Sequence, residues 1–383
     1  MSVRLIHTAD WQIGKVFADL HDCDSDRAPL LKEQRFLAVE RIARLAHERQ
    51  ADCVIVAGDV FDSQDLADET LRRTINATEG FGGPWLLLPG NHDAALPYSV
   101  WTRLSRLGLP QRIVPLLAPK PVLFAQKGFA VLPAPLVRRH ETLDVSDVLD
   151  AQNTPQGVIR VGVAHGSVKG RLPNDSDAKN EIAADRAVLA RLDYLALGDW
   201  HGTKRMDERT YYSGTPETDR FRDPSVAEQC PSGQVLFVQI EGPGCVPVIE
   251  AVPTGHYVFL KEKCEMQLPS DVDVLWAKLG KLSAPEKTLV DLTLFGSLGL
   301  ADEQRLREGL ASWRARFHLL RLHDSGLQTE YSDEDLDFLP SEPGLRTVAH
   351  DLRQKILLPG EDGLIARLAL KQLLSDVRRV IER

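Results

Sequence analysis

Two short motifs combine glycine with side chains that can bind metal, and each directly follows an apolar run. GDVFD at residues 58–62 follows residues 53–57, and GNHD at residues 90–93 follows residues 85–88. Carboxylate and amide oxygens bind divalent cations, and a neighbouring histidine can donate a proton to a leaving group. Asp59 and Asn91 are therefore candidate ligands of a dinuclear metal site, and His92 beside them is a candidate acid.

Three further segments carry similar side chains. Asp10 pairs with Gln12, Asp199 pairs with His201, and His165 stands before a glycine. The i, i+2 spacing directs both members of a pair to the same side of an extended segment, so each pair can serve two adjacent ions. Singly, such a histidine is more often a hydrogen-bonded core residue, and an aspartate beside glycine is usually a turn residue. Five motifs in succession favour one shared site.

Apolar runs must position these motifs. Each run is a predicted buried strand, and the side chains with chemistry stand where the strand ends. In an open α/β sheet the loops converge beyond the carboxyl ends of the strands, which is where ligands bind. The runs before the three additional motifs are residues 3–7, 158–164 and 194–197.

Together the motifs resemble the calcineurin-like metallophosphoesterase superfamily, and most of all its DNA-repair nuclease branch, the bacterial SbcD-type exonuclease subunits. The resemblance covers roughly the first 220 residues well. It implies an α/β fold in which a β-sandwich is flanked by helices, with a small α+β capping domain and C-terminal helices. The motifs that carry it are HTADWQIG at 7–14, GDVFD at 58–62, GNHD at 90–93, AHG at 164–166 and LGDWH at 197–201.

The resemblance also implies a role for each site residue. It implies two divalent ions that clamp a phosphodiester and activate the water molecule that attacks it. The ligands of one ion would be Asp10, Gln12, Asp59 and His201. The ligands of the other would be Asp59 as a bridge, Asn91, His165 and Asp199.

Two catalytic roles complete the implied site. His92 would stabilise charge or protonate the leaving group. Asp93 would fix the tautomer of His92, and an ordinary turn aspartate is the alternative interpretation.

Gln12 and Asp199 depart from the family pattern, which has histidine at both positions. Each replaces an imidazole with an oxygen donor, and oxygen donors suit Mn²⁺ or Mg²⁺ better than zinc. With Asp10 and Asp59, Asp199 also makes three carboxylates where the usual pattern has two. We therefore expect a site that prefers Mn²⁺. A decayed, non-catalytic site is the alternative, although the retained Asp59, Asn91 and histidines argue against it.

Composition favours an intracellular enzyme. The 383 residues are 43% hydrophobic, enough for one large domain and one or two small ones. Five cysteines without a C-x-x-C pair predict neither a disulfide framework nor a zinc ribbon. Charged and polar residues interrupt the N-terminus early, which is untypical of a signal peptide, and no apolar run reaches membrane-spanning length. We expect a cytoplasmic protein without a membrane partner.

The net charge of −9 conceals basic regions that could contact DNA. Residues 101–140 contain seven lysines and arginines and no acid, and a solvated face is an equally good interpretation of this region. Basic residues near the metal motifs are more readily interpreted as substrate contacts. These are Lys169, Arg171, Lys204, Arg205, Arg220 and Arg222.

Four segments are predicted. Residues 1–255 form the metallophosphoesterase domain, and residues 256–323 form a capping domain with a βαβ pattern. Residues 324–343 are acidic and are predicted to be an extended linker. Residues 344–383 carry two apolar helical patterns, which either fold back or bind a partner. The resemblance implies that this partner is an SMC-like coiled-coil ATPase subunit, and a homodimer is a further possibility.

Three functions therefore compete. The leading one is a DNA nuclease subunit, an exonuclease and/or single-strand endonuclease. The second is a phosphatase or phosphodiesterase acting on nucleotides or small molecules. The third is a scaffold with an inactive site.

Overall fold

The computed structural model describes residues 2–17, 27–141, 143–170, 180–221, 230–332, 335–336, 339 and 343–381. The chain divides into two compact units, Met1–Phe259 and Leu260–Arg383. This division lies a few residues after the predicted boundary between residues 255 and 256. Arg171 and Arg222, two of the predicted substrate contacts, lie outside the described residues, as does Cys23.

The first unit alternates strands and helices along most of its length. Its strands are β1 (Val3–Thr8), β2 (Cys53–Val56), β3 (Trp85–Leu87), β4 (Ile113–Pro115), β5 (Val122–Phe124), β6 (Phe129–Ala134), β7 (Ile159–His165), β8 (Ser167–Val168), β9 (Glu181–Ile182), β10 (Tyr194–Gly198), β11 (Lys204–Arg205), β12 (Thr210–Tyr212), β13 (Gln234–Ile240), β14 (Val248–Pro253) and the beginning of β15 (Val258–Met266). Its helices are α1 (Arg27–Glu48), α2 (Asp68–Ala77), α3 (Val100–Arg106), α4 (Val148–Ala151) and α5 (Arg186–Leu189).

Two six-stranded sheets form the body of this unit. Their strand orders are β14-β13-β1-β2-β3-β4 and β11-β12-β10-β7-β6-β5. Strands β1 to β4 are parallel to one another, as are β6, β7, β10 and β12. Strands β13 and β14 form an antiparallel pair at one end of the first sheet.

Alternation along the strands explains the layers. In β2, Cys53 and Ile55 face a core shared with the second sheet, whereas Val54 and Val56 face the helices. In β10, Ala196 faces the core between the sheets and Leu195 faces the opposite side. Strands buried on both faces are continuous apolar runs in the sequence, which is why the sequence revealed them. The predicted α/β sandwich flanked by helices is confirmed.

The second unit is a three-stranded sheet with helices. Its elements after β15 are α6 (Pro269–Gly280), β16 (Thr288–Gly299), α7 (Leu300–Arg316), β17 (Leu319–Glu330), α8 (Pro343–Lys355) and α9 (Glu361–Ile381). Strands β16 and β17 are parallel and α7 connects them, so the predicted βαβ pattern is present. Strand β15 and helix α6 were not predicted.

Strand β17 corrects the predicted start of the acidic linker at residue 324. The strand continues to Glu330, with Leu327 opposite Gly296 and Glu330 opposite Gly299. Backbone pairing with β16 orders this segment, and acidic side chains on it do not oppose that pairing. The acidic residues Asp333, Glu334, Asp337 and Glu342 lie outside the described residues.

Helices α8 and α9 pack within the second unit. Ala349, Leu370 and Leu374 form a buried cluster with Tyr331 and Leu336. Lys371 Nζ also donates to Glu303 Oε1 of α7 at 2.6 Å. The helices therefore bury one apolar face against their own unit.

Among the described residues, Cys53, Cys230, Cys245 and Cys264 are free thiols. In the same part of the chain, no helix combines the length and apolar character needed to cross a membrane.

The Glu303 carboxylate should stabilise the second unit. It is buried and accepts hydrogen bonds from Lys371, Arg307 and Thr329. Glu303→Ala leaves these donors without their acceptor, so we expect a loss of about 2 kcal/mol in the free energy of unfolding. Urea unfolding measures it. The control is Glu308→Ala on the exposed face of the same helix, which should cost less than about 0.5 kcal/mol. Equal losses in both variants would contradict this role.

Candidate metal centre

The predicted site residues converge where the carboxyl ends of strands from the two sheets meet. Asp10, Asp59 and Asn91 follow β1, β2 and β3 of the first sheet, whereas His165 ends β7 and Asp199 follows β10 of the second. The carboxyl ends of parallel strands open to the same edge of a sheet, so all these loops meet.

Hydrogen bonds tie these loops together. Asp10 N donates to Gly58 O at 3.1 Å, and Gln12 N donates to Asp59 O at 2.9 Å. Between the sheets, Asp199 N donates to the Asp10 carboxylate at 3.1 and 3.2 Å. The geometry of the site is therefore fixed by main-chain groups as well as by side chains.

Backbone strain is concentrated at the same residues. Asp10, Gln12, Asp59 and Asp199 have φ values of 53°, 42°, 52° and 98°. Among the described residues, only Gln50 and Arg191 are further non-glycine residues with positive φ. Such conformations cost free energy and persist where the surroundings enforce them, which typically happens at functional sites.

Two glycines permit the close approach of the side chains. A Cβ on Gly58 would stand 2.0 Å from His165 Nδ1, and a Cβ on Gly90 would stand 2.1 Å from Asp59 Oδ1. Neither position has room for any side chain, so the glycines of both motifs are required by packing.

Asp10, Asp59 and His165 form a buried cluster whose ligand atoms all lie within 4.8 Å of one another. His165 Nδ1 donates to Ala57 O at 2.9 Å, which directs Nε2 into the cluster. That Nε2 lies 2.8 Å from Asn91 Oδ1, 3.6 Å from Asp59 Oδ1 and 3.9 Å from Asp199 Oδ1. Every residue predicted to serve the second ion is therefore present in one place.

The electrostatics of this cluster call for a cation. Burial, together with the charges of Asp59 and Asp199, raises the pKa of Asp10 well above its usual range, although His165 opposes the shift. Burial alone would lower the pKa of His165, yet the three carboxylates raise it to about 9. Oxygen-rich, buried and negatively charged, the donor set fits a divalent ion.

The other half of the site is arranged differently. Gln12 Oε1 accepts from Lys15 Nζ at 2.9 Å, and Gln12 Nε2 lies 3.3 Å from His201 Nε2. His201 Nδ1 donates to Asp219 Oδ2 at 2.8 Å. Burial lowers the pKa of His201 to about 4 against the opposing charge of Asp219. The amide oxygen of Gln12 thus faces a lysine.

Asp219 is the buried anchor of this half. Its Oδ2 lies 2.5 Å from Lys15 Nζ and 3.4 Å from Arg35 Nη2. Burial would raise the pKa of Asp219, but His201, Lys15 and Arg35 together hold it well below its usual range. The carboxylate therefore stays charged and holds both cationic side chains in place.

His92 is oriented by a backbone group, which corrects the predicted role of Asp93. His92 Nδ1 lies 2.9 Å from Asp62 O, to which it donates, and His92 Nε2 lies 3.9 Å from Asp59 Oδ2. Asp93 instead accepts from Gly90 N at 2.6 Å and from Phe61 N at 3.1 Å. Burial and the nearby Asp59 raise the pKa of Asp93 to about 8. Asp93 therefore joins the loops that carry Gly90 and Phe61, and the carbonyl of Asp62 orients the ring of His92.

A cavity of about 240 Å³ opens over these groups. Its lining combines candidate ligands, the candidate acid and positively charged side chains. The lining residues are Gln12, Lys15, Val16, Asp59, Asp62, Asn91, His92, Asp199, Trp200, His201 and Arg220.

The motifs in the sequence did not point to Lys15, Arg35 or Asp219. Lys15 directly follows the first motif, so its position was a usable signal. Nothing in the sequence marks Arg35 inside α1, or Asp219 between β12 and β13, as neighbours of the site.

Several basic residues of 101–140 have structural partners. Arg103 bonds to Asp68, Arg112 to Thr78 and Lys127 to Asp52, at 2.6, 3.1 and 2.9 Å. These pairs favour the structural interpretation of that region.

The family model described as calcineurin-like phosphoesterase matches residues 3–221, more than half of the chain. The chain belongs to this family. The resemblance seen in the motifs is thereby confirmed, and the matched region contains every predicted ligand and His92.

Two similar proteins are named for DNA repair, and a third is named as a nuclease subunit. The chain is 23% identical to the DNA double-strand break repair protein Mre11 of Methanosarcina mazei over 371 residues, 95% of this chain and 56% of that protein. The Mre11 protein of Methanosarcina acetivorans is 23% identical over 273 residues, 69% of this chain and 41% of the other. A subunit of the nuclease SbcCD of Bacillus subtilis is 23% identical over 261 residues, 59% and 64% of the two chains. The matches thus span 41% to 64% of these relatives.

A solved structure from Thermus thermophilus is also similar, with 12% identity and a TM-score of 0.37 over 56% of this chain and 90% of the other.

Gly58→Ala should disrupt the cluster specifically. The new methyl group collides with the ring of His165, so we expect loss of divalent-metal binding as well as stability. Isothermal titration with Mn²⁺ and thermal unfolding measure the two effects. The matched control is Gly108→Ala: its φ of +83° resembles the +96° of Gly58, but open space surrounds it. It should cost about 1 kcal/mol and leave metal binding unchanged. Wild-type metal binding by Gly58→Ala would contradict the described packing.

Proposed function

We propose that this protein is a divalent-metal-dependent DNA nuclease that hydrolyses phosphodiester bonds in DNA repair or processing. The observation that carries the proposal is the buried cluster of Asp10, Asp59 and His165 beneath a cavity that also exposes His92 and Arg220. The site thus joins metal ligands, an acid and a cation. The name of the Methanosarcina relative supports DNA as the substrate, and the name of the Bacillus relative supports nuclease activity. Activity as an exonuclease and/or single-strand endonuclease, in the cytoplasm, is part of the proposal.

The residues proposed to hold metal are those around His165. Asp10, Asp59, Asn91, His165 and Asp199 offer four oxygen-bearing side chains and one imidazole. A divalent ion bound there would polarise a phosphoryl oxygen and lower the pKa of water. The oxygen-rich set favours Mn²⁺, with Mg²⁺ as the alternative.

His92 is proposed as the acid that serves the leaving oxygen. Its Nδ1 hydrogen bond to the Asp62 carbonyl leaves Nε2 as the atom that exchanges a proton. Its side chain is 28% exposed, whereas the cluster beneath it is almost fully buried. His92 can therefore meet a substrate at the mouth of the cavity.

Positive charge near the cavity is proposed to contact the DNA backbone. Arg220 lines the cavity and its side chain is 60% exposed. Lys169, at 72% exposure, and Arg205 provide further cations in the same unit. Phosphate contacts of this kind make affinity fall as salt concentration rises.

An SMC-like coiled-coil ATPase is the proposed protein partner, and a second copy of this chain is the alternative. Helix α9 buries Leu370 and Leu374 but exposes Leu364, Ile365 and Leu368 by 58%, 61% and 59%. An apolar strip at helical spacing suits a partner helix. Leu364→Lys with Leu368→Lys should keep the fold and lose co-purification with the ATPase. Unchanged co-purification would contradict this docking face.

His92→Ala should reduce cleavage of labelled DNA on the order of 10²- to 10⁴-fold, because a proton donor is lost. Its Mn²⁺ content should remain that of the wild type. The control is His140→Ala, an exposed histidine outside the cavity, which should cleave normally. The same proteins are assayed on a nucleotide phosphodiester. Near-wild-type DNA cleavage by His92→Ala would refute its role, and activity confined to the small substrate would favour a nucleotide or small-molecule phosphodiesterase.

A further inference from the structure

Lys15 extends into the half of the site that the family pattern assigns to an ion. Its side chain is 22% exposed, and it lines the cavity beside Gln12 and His201. Its Nζ contacts Gln12 Oε1 at 2.9 Å and Asp219 Oδ2 at 2.5 Å. An ammonium group therefore stands at the oxygen atom that Gln12 would offer to a metal.

The hydrogen bonds allow one orientation for the amide of Gln12. An ammonium group only donates, so the amide oxygen must face Lys15. The amide nitrogen then faces His201 Nε2 at 3.3 Å, and His201 Nδ1 donates to Asp219 at 2.8 Å. Both predicted ligand atoms of Gln12 and His201 are thus engaged within the protein. This donor set does not fit a second ion.

The charges around the site also disfavour a second ion. Asp10, Asp59 and Asp199 contribute three negative charges at the cluster. One divalent ion, Lys15 and Arg35 supply four positive charges, which equal the charges of these three carboxylates and of Asp219, the carboxylate that Lys15 and Arg35 contact. A second divalent ion would place two further positive charges beside Lys15 and Arg35, which like-charge repulsion disfavours.

We infer that this chain binds a single divalent ion within the cluster of Asp10, Asp59, Asn91, His165 and Asp199, and that the ammonium of Lys15 takes the place of the second ion. The inference rests on the proposed function, because it concerns the same site. It explains the two departures from the family pattern together: Gln12 orders Lys15, and Asp199 strengthens the remaining metal site. Lys15 then supplies fixed positive charge to a phosphoryl oxygen.

The test is the number of bound ions. Metal-stripped protein is titrated with Mn²⁺ alone, and binding is followed by isothermal titration and by electron paramagnetic resonance, which detects spin coupling between paired ions. We expect one ion per wild-type chain and no coupled pair. Gln12→His with Lys15→Met should bind two ions and show coupling, because it restores a ligand and removes the competing charge.

Further variants separate the effect of charge from that of folding. Lys15→Arg keeps the charge and should still bind one ion, and Lys120→Met, a change of an exposed lysine, should do the same. Two ions with coupling in the wild type would overturn the inference and leave the proposed function intact. No bound Mn²⁺ in the wild type would overturn both. One ion in the wild type and also in the folded double variant would overturn the role of Lys15.

Discussion

Buried negative charge is the constraint on which the rest of the first unit depends. Asp10 and Asp59 are buried at the ends of strands of the first sheet, and the largely buried carboxylate of Asp199 meets them from the second. Burying carboxylates close together is costly unless a cation or proton neutralises them. The raised pKa values of Asp10 and His165 reflect the same need for neutralisation of the carboxylates. Strained backbone, glycines without space for a methyl group and crossed main-chain hydrogen bonds all hold this arrangement in place.

The two halves of the site neutralise their negative charge in different ways. Around His165, oxygen atoms of Asn91, Asp59 and Asp199 converge on the imidazole. Around His201, Lys15 and Arg35 converge on Asp219. A site that looks symmetrical in its motifs is therefore asymmetrical in charge. This asymmetry gives Gln12 the role of ordering Lys15, and it argues against a site that has lost its function.

The sequence predicted the strands and their shared edge because both depend on local patterns. Apolar runs buried on two faces are visible in one dimension, and parallel strands bring their carboxyl ends together without further information. Asp59, Asn91, His165 and Asp199 could be placed for this reason. The contact of Gln12 with Lys15 depends on Asp219, which lies 204 residues from Lys15 in the chain, and no local pattern encodes such a partner.

Other differences arise from backbone pairing. Asp93 stands beside His92 in the sequence, but its carboxylate turns to the main chain of Gly90 and Phe61. The acidic composition after residue 323 suggested a linker, yet pairing with β16 continues to Glu330. Composition describes side chains, whereas strand pairing is set by a partner strand elsewhere in the chain.

We expect the strand-end carboxylates and His165 to bind a divalent metal ion. The most direct measurement is anomalous diffraction at the manganese edge from crystals of the wild-type protein grown with Mn²⁺. We expect a strong anomalous peak among Asp10, Asp59, His165 and Asp199. The absence of any peak there at saturating Mn²⁺, with the cluster well ordered, would contradict it.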